Sequence, residues 1–242
     1  MNFKHFVATS AAAVLLTVTC PASAVVTFSG TTANPANNTL LVDTTGTLVT
    51  AVNFGGANTV NNGVSFTGIS AQNGVNGGVT FAHSGLLGFG GAATVNGSST
   101  ADPLFMTLVY FGSQFGPSQL AVSGLDAGKN YLVEFMWGEG RTIYNGVFDH
   151  TLTGSTSNTN SFVNNFTFGG ATPNGSETKK TTRFTLSGEA GFNLSFVRDG
   201  GNLGPGISGY QIRELASIPE PATATLGLLS VAGLIMRRRR MA

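Results

Sequence analysis

The densest group of side chains able to do chemistry is Trp137-Gly-Glu-Gly-Arg-Thr-Ile-Tyr144, with Asp149 just beyond it. Trp137 and Tyr144 offer flat apolar faces that can stack on sugar rings, and Glu139, Arg141 and Asp149 can hydrogen-bond hydroxyls. The group lies between two stretches that read as strands. It therefore predicts a loop at one end of a β domain, where binding sites collect. The competing reading is purely structural: Trp137 completes a core, and Arg141 pairs with Glu139 or Asp149.

Other chemistries find less to work with. A glycosidase needs two carboxylates at a set separation across a cleft. Glu134, Glu139, Asp149 and Glu189 are the candidates, with Glu134 and Asp149 expected on neighbouring strands as surface residues. His83-Ser84 is no catalytic pair, because adjacent side chains on a strand face opposite ways. His150 alternates with Phe148 and Leu152, which fits a histidine satisfied in or beside a core. No Gly-x-Ser-x-Gly elbow occurs, and two histidines without nearby carboxylates make no zinc site. No metal or cofactor is expected. Asp199-Gly-Gly-Asn202 and Asp102 offer oxygen ligands for a structural calcium, but without EF-hand spacing.

The elements that must position these residues are strands. Thr and Phe are abundant and favour strands, and Gly and Asn favour turns. The 18 Phe are too many for a chain without a core. Clear strand patterns are Val25–Phe28, Thr39–Val42, Thr47–Phe54, Val64–Thr67, Val79–Phe81, Gln119–Val122, Val147–Thr153, Ser161–Phe168, Thr181–Leu186 and Ile207–Leu215. Leu104–Phe111 is apolar on both faces and belongs mid-sheet. In Tyr131–Trp137, the residues Tyr131, Val133, Phe135 and Trp137 share a core face. Phe192–Phe196 is half-buried, with Asn193 and Ser195 outward. The Gly-rich segment 85–101 reads as a loop or covering flap. Ten to twelve short strands at this spacing predict an all-β antiparallel sandwich.

Both ends read as signals. Residues 1–24 form a secretory signal peptide: a weakly basic leader, an apolar run over Val7–Val18, then Ala22-Ser23-Ala24 before the cleavage point. Cleavage there removes Cys20, the only cysteine, so the mature chain uses no disulfide. A lipoprotein reading of Cys20 lacks the small residue that should precede it. At the other end, Ala222–Met236 is an uncharged run of 15 residues. As a helix it is about 22 Å long, short of the ~30 Å of a bilayer core. Pro219 and Pro221 set its start, and four consecutive arginines favour the cytoplasmic side. Between the signals, residues 25–217 carry seven Lys and Arg and ten Asp and Glu, a net charge of −3. That excludes a nucleic-acid-binding face. The one basic cluster, Lys179, Lys180 and Arg183 beside Glu177, reads as a solvated strand face.

Pro219-Glu220-Pro221, the apolar run, and then Arg237, Arg238, Arg239 and Arg240 at the chain end resemble the PEP-CTERM sorting signal of Gram-negative bacteria. The resemblance covers residues 218–242. It implies a transient inner-membrane anchor, recognition by an exosortase after signal peptidase has acted, and release to the cell surface or extracellular matrix of an organism that makes exopolysaccharide. The alternative is a plain C-terminal anchor with a stop-transfer cluster. Two further stretches resemble exported β-sandwich domains. In Leu120–Phe135 a Leu anchors a turn, a Gly makes it and a Tyr opens the next strand. Gly206–Leu215 resembles the final strand of PEP-CTERM ectodomains with a galactose-binding-like jelly roll. The implied fold is a jelly roll between a signal peptide and a short transmembrane helix. The leading functional expectation is a non-catalytic surface or matrix protein. The alternatives are a carbohydrate-binding module tethered to exopolysaccharide and, more remotely, a polysaccharide hydrolase.

Overall fold

A computed structural model of the chain describes residues 24–35, 41–91, 103–105, 107–111, 118–138, 147–156, 159–162, 177–199 and 206–216. The two terminal signals lie outside these residues. No helix among the described residues is long and apolar enough to cross a membrane.

Every described regular element is a strand. In chain order they are β1 (Val25–Pro35), β2 (Thr47–Phe54), β3 (Thr59–Asn61), β4 (Val64–Ile69), β5 (Asn73–Asn76), β6 (Val79–Ser84), β7 (Leu86–Gly91) and β8 (Thr107–Phe111). There follow β9 (Ser118–Ser123), β10 (Asn130–Gly138), β11 (Val147–Gly154), β12 (Thr159–Phe162), β13 (Glu177–Ser187), β14 (Gly191–Asp199), β15 (Gly206–Ile207) and β16 (Gly209–Leu215).

They form two main sheets. One has the order β1-β13-β10-β16-β2-β4-β3 and the other β12-β11-β14-β9-β6-β5, with a small third sheet β15-β8-β7. Pairing is antiparallel throughout, except between β2 and β4. The described residues thus form an all-β sandwich. Strand alternation puts one face of each main sheet inward. Tyr131, Val133, Phe135 and Trp137 of β10 lie in the shared core with Phe184 and Leu186 of β13, and with Phe192 and Leu194 of β14 from the opposite sheet. The Phe135 and Phe192 rings meet edge-on at 5.7 Å, and Phe54 meets Phe81 at 5.9 Å. Such aromatic pairs contribute about 1 kcal/mol each beyond the area they bury.

The turn into β10 behaves as its sequence suggests. Leu125 is buried in the core, Gly124 adopts φ 94°, and the Asp126 N–H donates to the Tyr131 hydroxyl oxygen at 3.0 Å.

The seven-stranded sheet is also covered on its outer face. Val42, Ala51, Val64, Phe66, Leu104, Phe105 and Met136 form a second, smaller core there. This corrects two expectations. Residues 41–45, which take in the second half of the stretch read as a Thr39–Val42 strand, are an irregular strap, and residues 39–40 lie outside the described residues. Leu104 and Phe105 sit in a turn, and only Thr107–Phe111 pairs as a strand, central in the small sheet. The segment read as a Gly-rich flap contains β7, which pairs with β8 from Leu86 to Gly91.

Candidate functional site

Of the stretch proposed as a binding site, Trp137 and Gly138 end β10, and residues 139–146 lie outside the described residues. Trp137 is 2% exposed, and its indole N–H donates to the Thr182 hydroxyl at 2.9 Å. Its ring lies 6.2 Å from Phe135. So buried, Trp137 presents no platform for a sugar. The structural reading of this residue is the correct one. Asp149, in β11, has only its backbone described: it pairs with Val197 of β14, within the six-stranded sheet. Glu139, Arg141 and Tyr144 lie outside the described residues, as do Pro219, Glu220, Pro221 and Arg237 to Arg240.

The carboxylate candidates also move. Glu134 and Asp149 are not on neighbouring strands, because β10 and β11 belong to different sheets. Glu134 is no surface residue either: it is 0% exposed on the outer face of β10. Pairing places it between Arg183 of β13 and Gln211 of β16. Its Oε1 accepts from Arg183 Nε at 2.9 Å. Its Oε2 accepts from Gln211 Nε2 at 2.7 Å and from the Asp43 N–H at 2.9 Å. A buried carboxylate is tolerable only with such partners.

The partners extend into a network that clamps the strap. Gln211 Nε2 also donates to the Asp43 carbonyl at 2.8 Å. Arg213 donates through Nε to the Thr45 carbonyl at 2.9 Å and through Nη2 to the Gly46 carbonyl at 2.8 Å. Arg183 Nη1 reaches the Thr32 hydroxyl at 3.2 Å, and its Nε lies 3.6 Å from Asp43 Oδ2. Burial tends to raise the Asp43 pKa, but hydrogen bonds from the Thr45 N–H and hydroxyl, with Arg183 and Arg213 nearby, bring it below its ordinary value. At the other side of the strap, Asn62 Nδ2 donates to the Val42 carbonyl at 2.8 Å. The basic cluster is corrected with it: Lys180 is buried and Arg183 serves this network. The arrangement can hold a loop against a sheet. It leaves neither oxygen of Glu134 facing a cleft.

Glu189 is likewise buried and structural. It accepts from the Ser155 hydroxyl at 2.8 Å, the Thr156 N–H at 3.0 Å and the Thr156 hydroxyl at 2.8 Å, tying the β13–β14 turn to the end of β11. A Cβ on Gly154 would meet the Glu189 carboxylate, which would have to shift from these hydrogen bonds.

His83 is buried on the inner face of β6 beside the Phe54 ring, 4.6 Å away, with Nδ1 at 2.9 Å from the Gln72 carbonyl oxygen. Burial pushes its pKa below the ordinary value, opposed by the Gln72 hydrogen bond. His150 has only its backbone described, paired with Phe196 and Phe162. Among the described residues, no group of three His, Cys, Asp or Glu is placed to hold a metal. Of the calcium ligands considered, Asp102 and Asn202 lie outside the described residues, and Asp199 ends β14.

No family model matches the chain, and no curated protein matches it. Solved structures share its fold at low identity. A chain of the plant peptide RALF23 complex with FER and LLG2 is 14% identical, with a TM-score of 0.50, covering 71% of this chain and 49% of that one. The ANXUR2 extracellular domain from Arabidopsis thaliana is 13% identical at 0.47, covering 72% and 51%. A Bacteroides uniformis β-glucuronidase is 13% identical at 0.46, covering 69% and 18%. The chain thus spans about half of the plant chains and under a fifth of the glucuronidase. At these identities the likeness shows a β-sandwich alone.

Proposed function

We propose that this chain is an exported cell-surface or extracellular-matrix protein that serves as a displayed structural domain rather than a catalyst, with residues 218–242 acting as a PEP-CTERM sorting signal for an exosortase. The observation that carries the reading is the sequence of three parts in the tail: Pro219-Glu220-Pro221, a short uncharged run, and Arg237 to Arg240. A span this short suits a temporary anchor. Described strand pairing runs from Val25, opposite Ser187, to Leu215, opposite Asn130, inside the proposed domain of residues 25–217. The sandwich is read as a jelly roll of the galactose-binding type. The burial of both Glu134 and Glu189 in structural networks supports display over hydrolysis. Signal peptidase and an exosortase are the expected processing partners. A polysaccharide-binding reading keeps Glu139, Arg141, Tyr144 and Asp149 but loses Trp137.

The test is processing in a host that has an exosortase. A released form lacking Arg237–Arg240 is expected, and Pro219→Ala with Pro221→Ala should abolish release. Full-length, membrane-bound protein as the sole product would overturn the sorting reading.

A further inference from the structure

Glu134 is approached by donors. Arg183 Nε, Gln211 Nε2 and the Asp43 N–H all aim hydrogens at its two oxygens. Gln211 cannot turn its amide oxygen toward Glu134 without losing other bonds. Its Oε1 accepts from Arg213 Nη1 at 3.4 Å, and its Nε2 also serves the Asp43 carbonyl. A carboxylate accepts such bonds, whereas a protonated carboxyl brings a hydrogen of its own. The arrangement therefore fits the ionised form. Its charges are matched as well. Among the described residues, Glu134 of β10 and Asp43 of the strap face Arg183 of β13 and Arg213 of β16. Around them β1 brings neutral Thr32, the β3–β4 hairpin brings neutral Asn61 and Asn62, and β2 has no charged residue. Lys129 and Glu214 pair with each other at 2.7 Å. A proton on either network carboxylate leaves guanidinium charge in excess.

We infer that the strap is an acid-released latch: proton uptake by Glu134 and Asp43 frees residues 41–45 from the sheet and bares the second core, while the two main sheets stay paired. The strap is the element that gives, because its neighbours are held more firmly. β10 is laddered on both sides, to β13 and to β16. The strap has no ladder, and Thr44 and Thr45 are exposed. Elements with few backbone bonds and much exposure open first. Beneath it Val42 packs with Ala51, Val64, Phe66 and Met136, so release uncovers apolar surface. The Asp43 pKa sets the direction. Burial raises it, but the Thr45 hydrogen bonds and the two arginines bring it below 3.8. Its hold on the strap is thus complete above 3.8 and is lost as pH falls from there through the lower folded value. The inference concerns this domain alone and stands whether or not the tail is sorted.

Residue-resolved hydrogen exchange on the full chain, corrected for intrinsic rates and run from pH 7 down to pH 2.5, tests it. The amides of Val42, Asp43 and Thr45 are expected to lose protection by about tenfold at a pH where those of β10 and β16 keep theirs. Glu134→Gln places a neutral side chain of the same shape in the network, and should give the same local loss at pH 7, where His83 is not being titrated. Strap amides that stay protected to pH 2.5, strap and strand amides lost together, or a folded Glu134→Gln whose strap exchanges like the parent's would each overturn the inference. If Glu134→Gln does not fold, the parent's pH series decides alone.

Discussion

Glu134 shows how a residue's neighbours in sequence reveal its surroundings. It sits between Leu132 and Met136 on a strand whose other face is Val133, Phe135 and Trp137. A strand apolar on both sides of the sheet is covered on both sides, so a carboxylate there must find partners in the dark. Read as a surface residue, it hid the network. The partners, Arg183, Gln211 and the Asp43 N–H, come from distant parts of the chain, and no local spacing announces them. Breaking a buried pair leaves an uncompensated charge. With Arg183 partly solvated, Glu134→Ala is expected to lower stability by about 3 kcal/mol, seen as an earlier urea midpoint. His83 carries a pH effect. Its folded pKa is below the ordinary 6.5, so neutral imidazole stabilises the fold fully above that value. The contribution is lost as pH falls from there through the lower folded value. Urea unfolding at pH 7 and pH 5 should show stability falling with pH, and the part due to this group should be missing in His83→Gln. An unchanged slope in that variant would contradict the burial of the ring.

At the scale of elements, alternation was readable where a strand has one core face. Thr47–Phe54 matches β2 end to end, and Phe192 and Leu194 are buried as their alternation with Asn193 and Ser195 requires. It failed where tertiary partners overrule propensity. Thr39–Val42 has the composition of a strand, yet residues 41–45 are clamped from three sides by Gln211, Arg213 and Asn62 and run as a strap. Conversely, Leu86–Gly91 is glycine-rich and still pairs, because β8 supplies the ladder. Of the stretch expected to form a loop after β10, the aromatic anchor Trp137 belongs to the strand itself. Trp137 ties β10 to Thr182 of β13. Trp137→Ala is therefore expected to reduce stability by about 3–5 kcal/mol through the cavity it leaves, measured by calorimetry. A variant of native stability would place the indole outside the core.

For the whole molecule, the order of strands matters more than their number. In the seven-stranded sheet, β1, β13 and β10 form one flank and β2, β4 and β3 the other, and β16 alone joins them. β16 is the last described strand, ending at Leu215, and its Tyr210 and Ile212 are fully buried. A chain cut after Ser208 is expected to be protease-sensitive and to lack a cooperative melt, whereas one cut after Ala216 should melt cooperatively. Equal resistance of the two would show that the flanks hold together without β16. Length, charge and turn chemistry pointed to a sandwich, but nothing in Gly209–Leu215 itself marks a strand as central rather than terminal. Time enters here. A polypeptide made from its N-terminus presents both flanks before β16, the strand that lies between them. Closure of the sheet then waits on β16, and a chain broken before it leaves two open half-sheets.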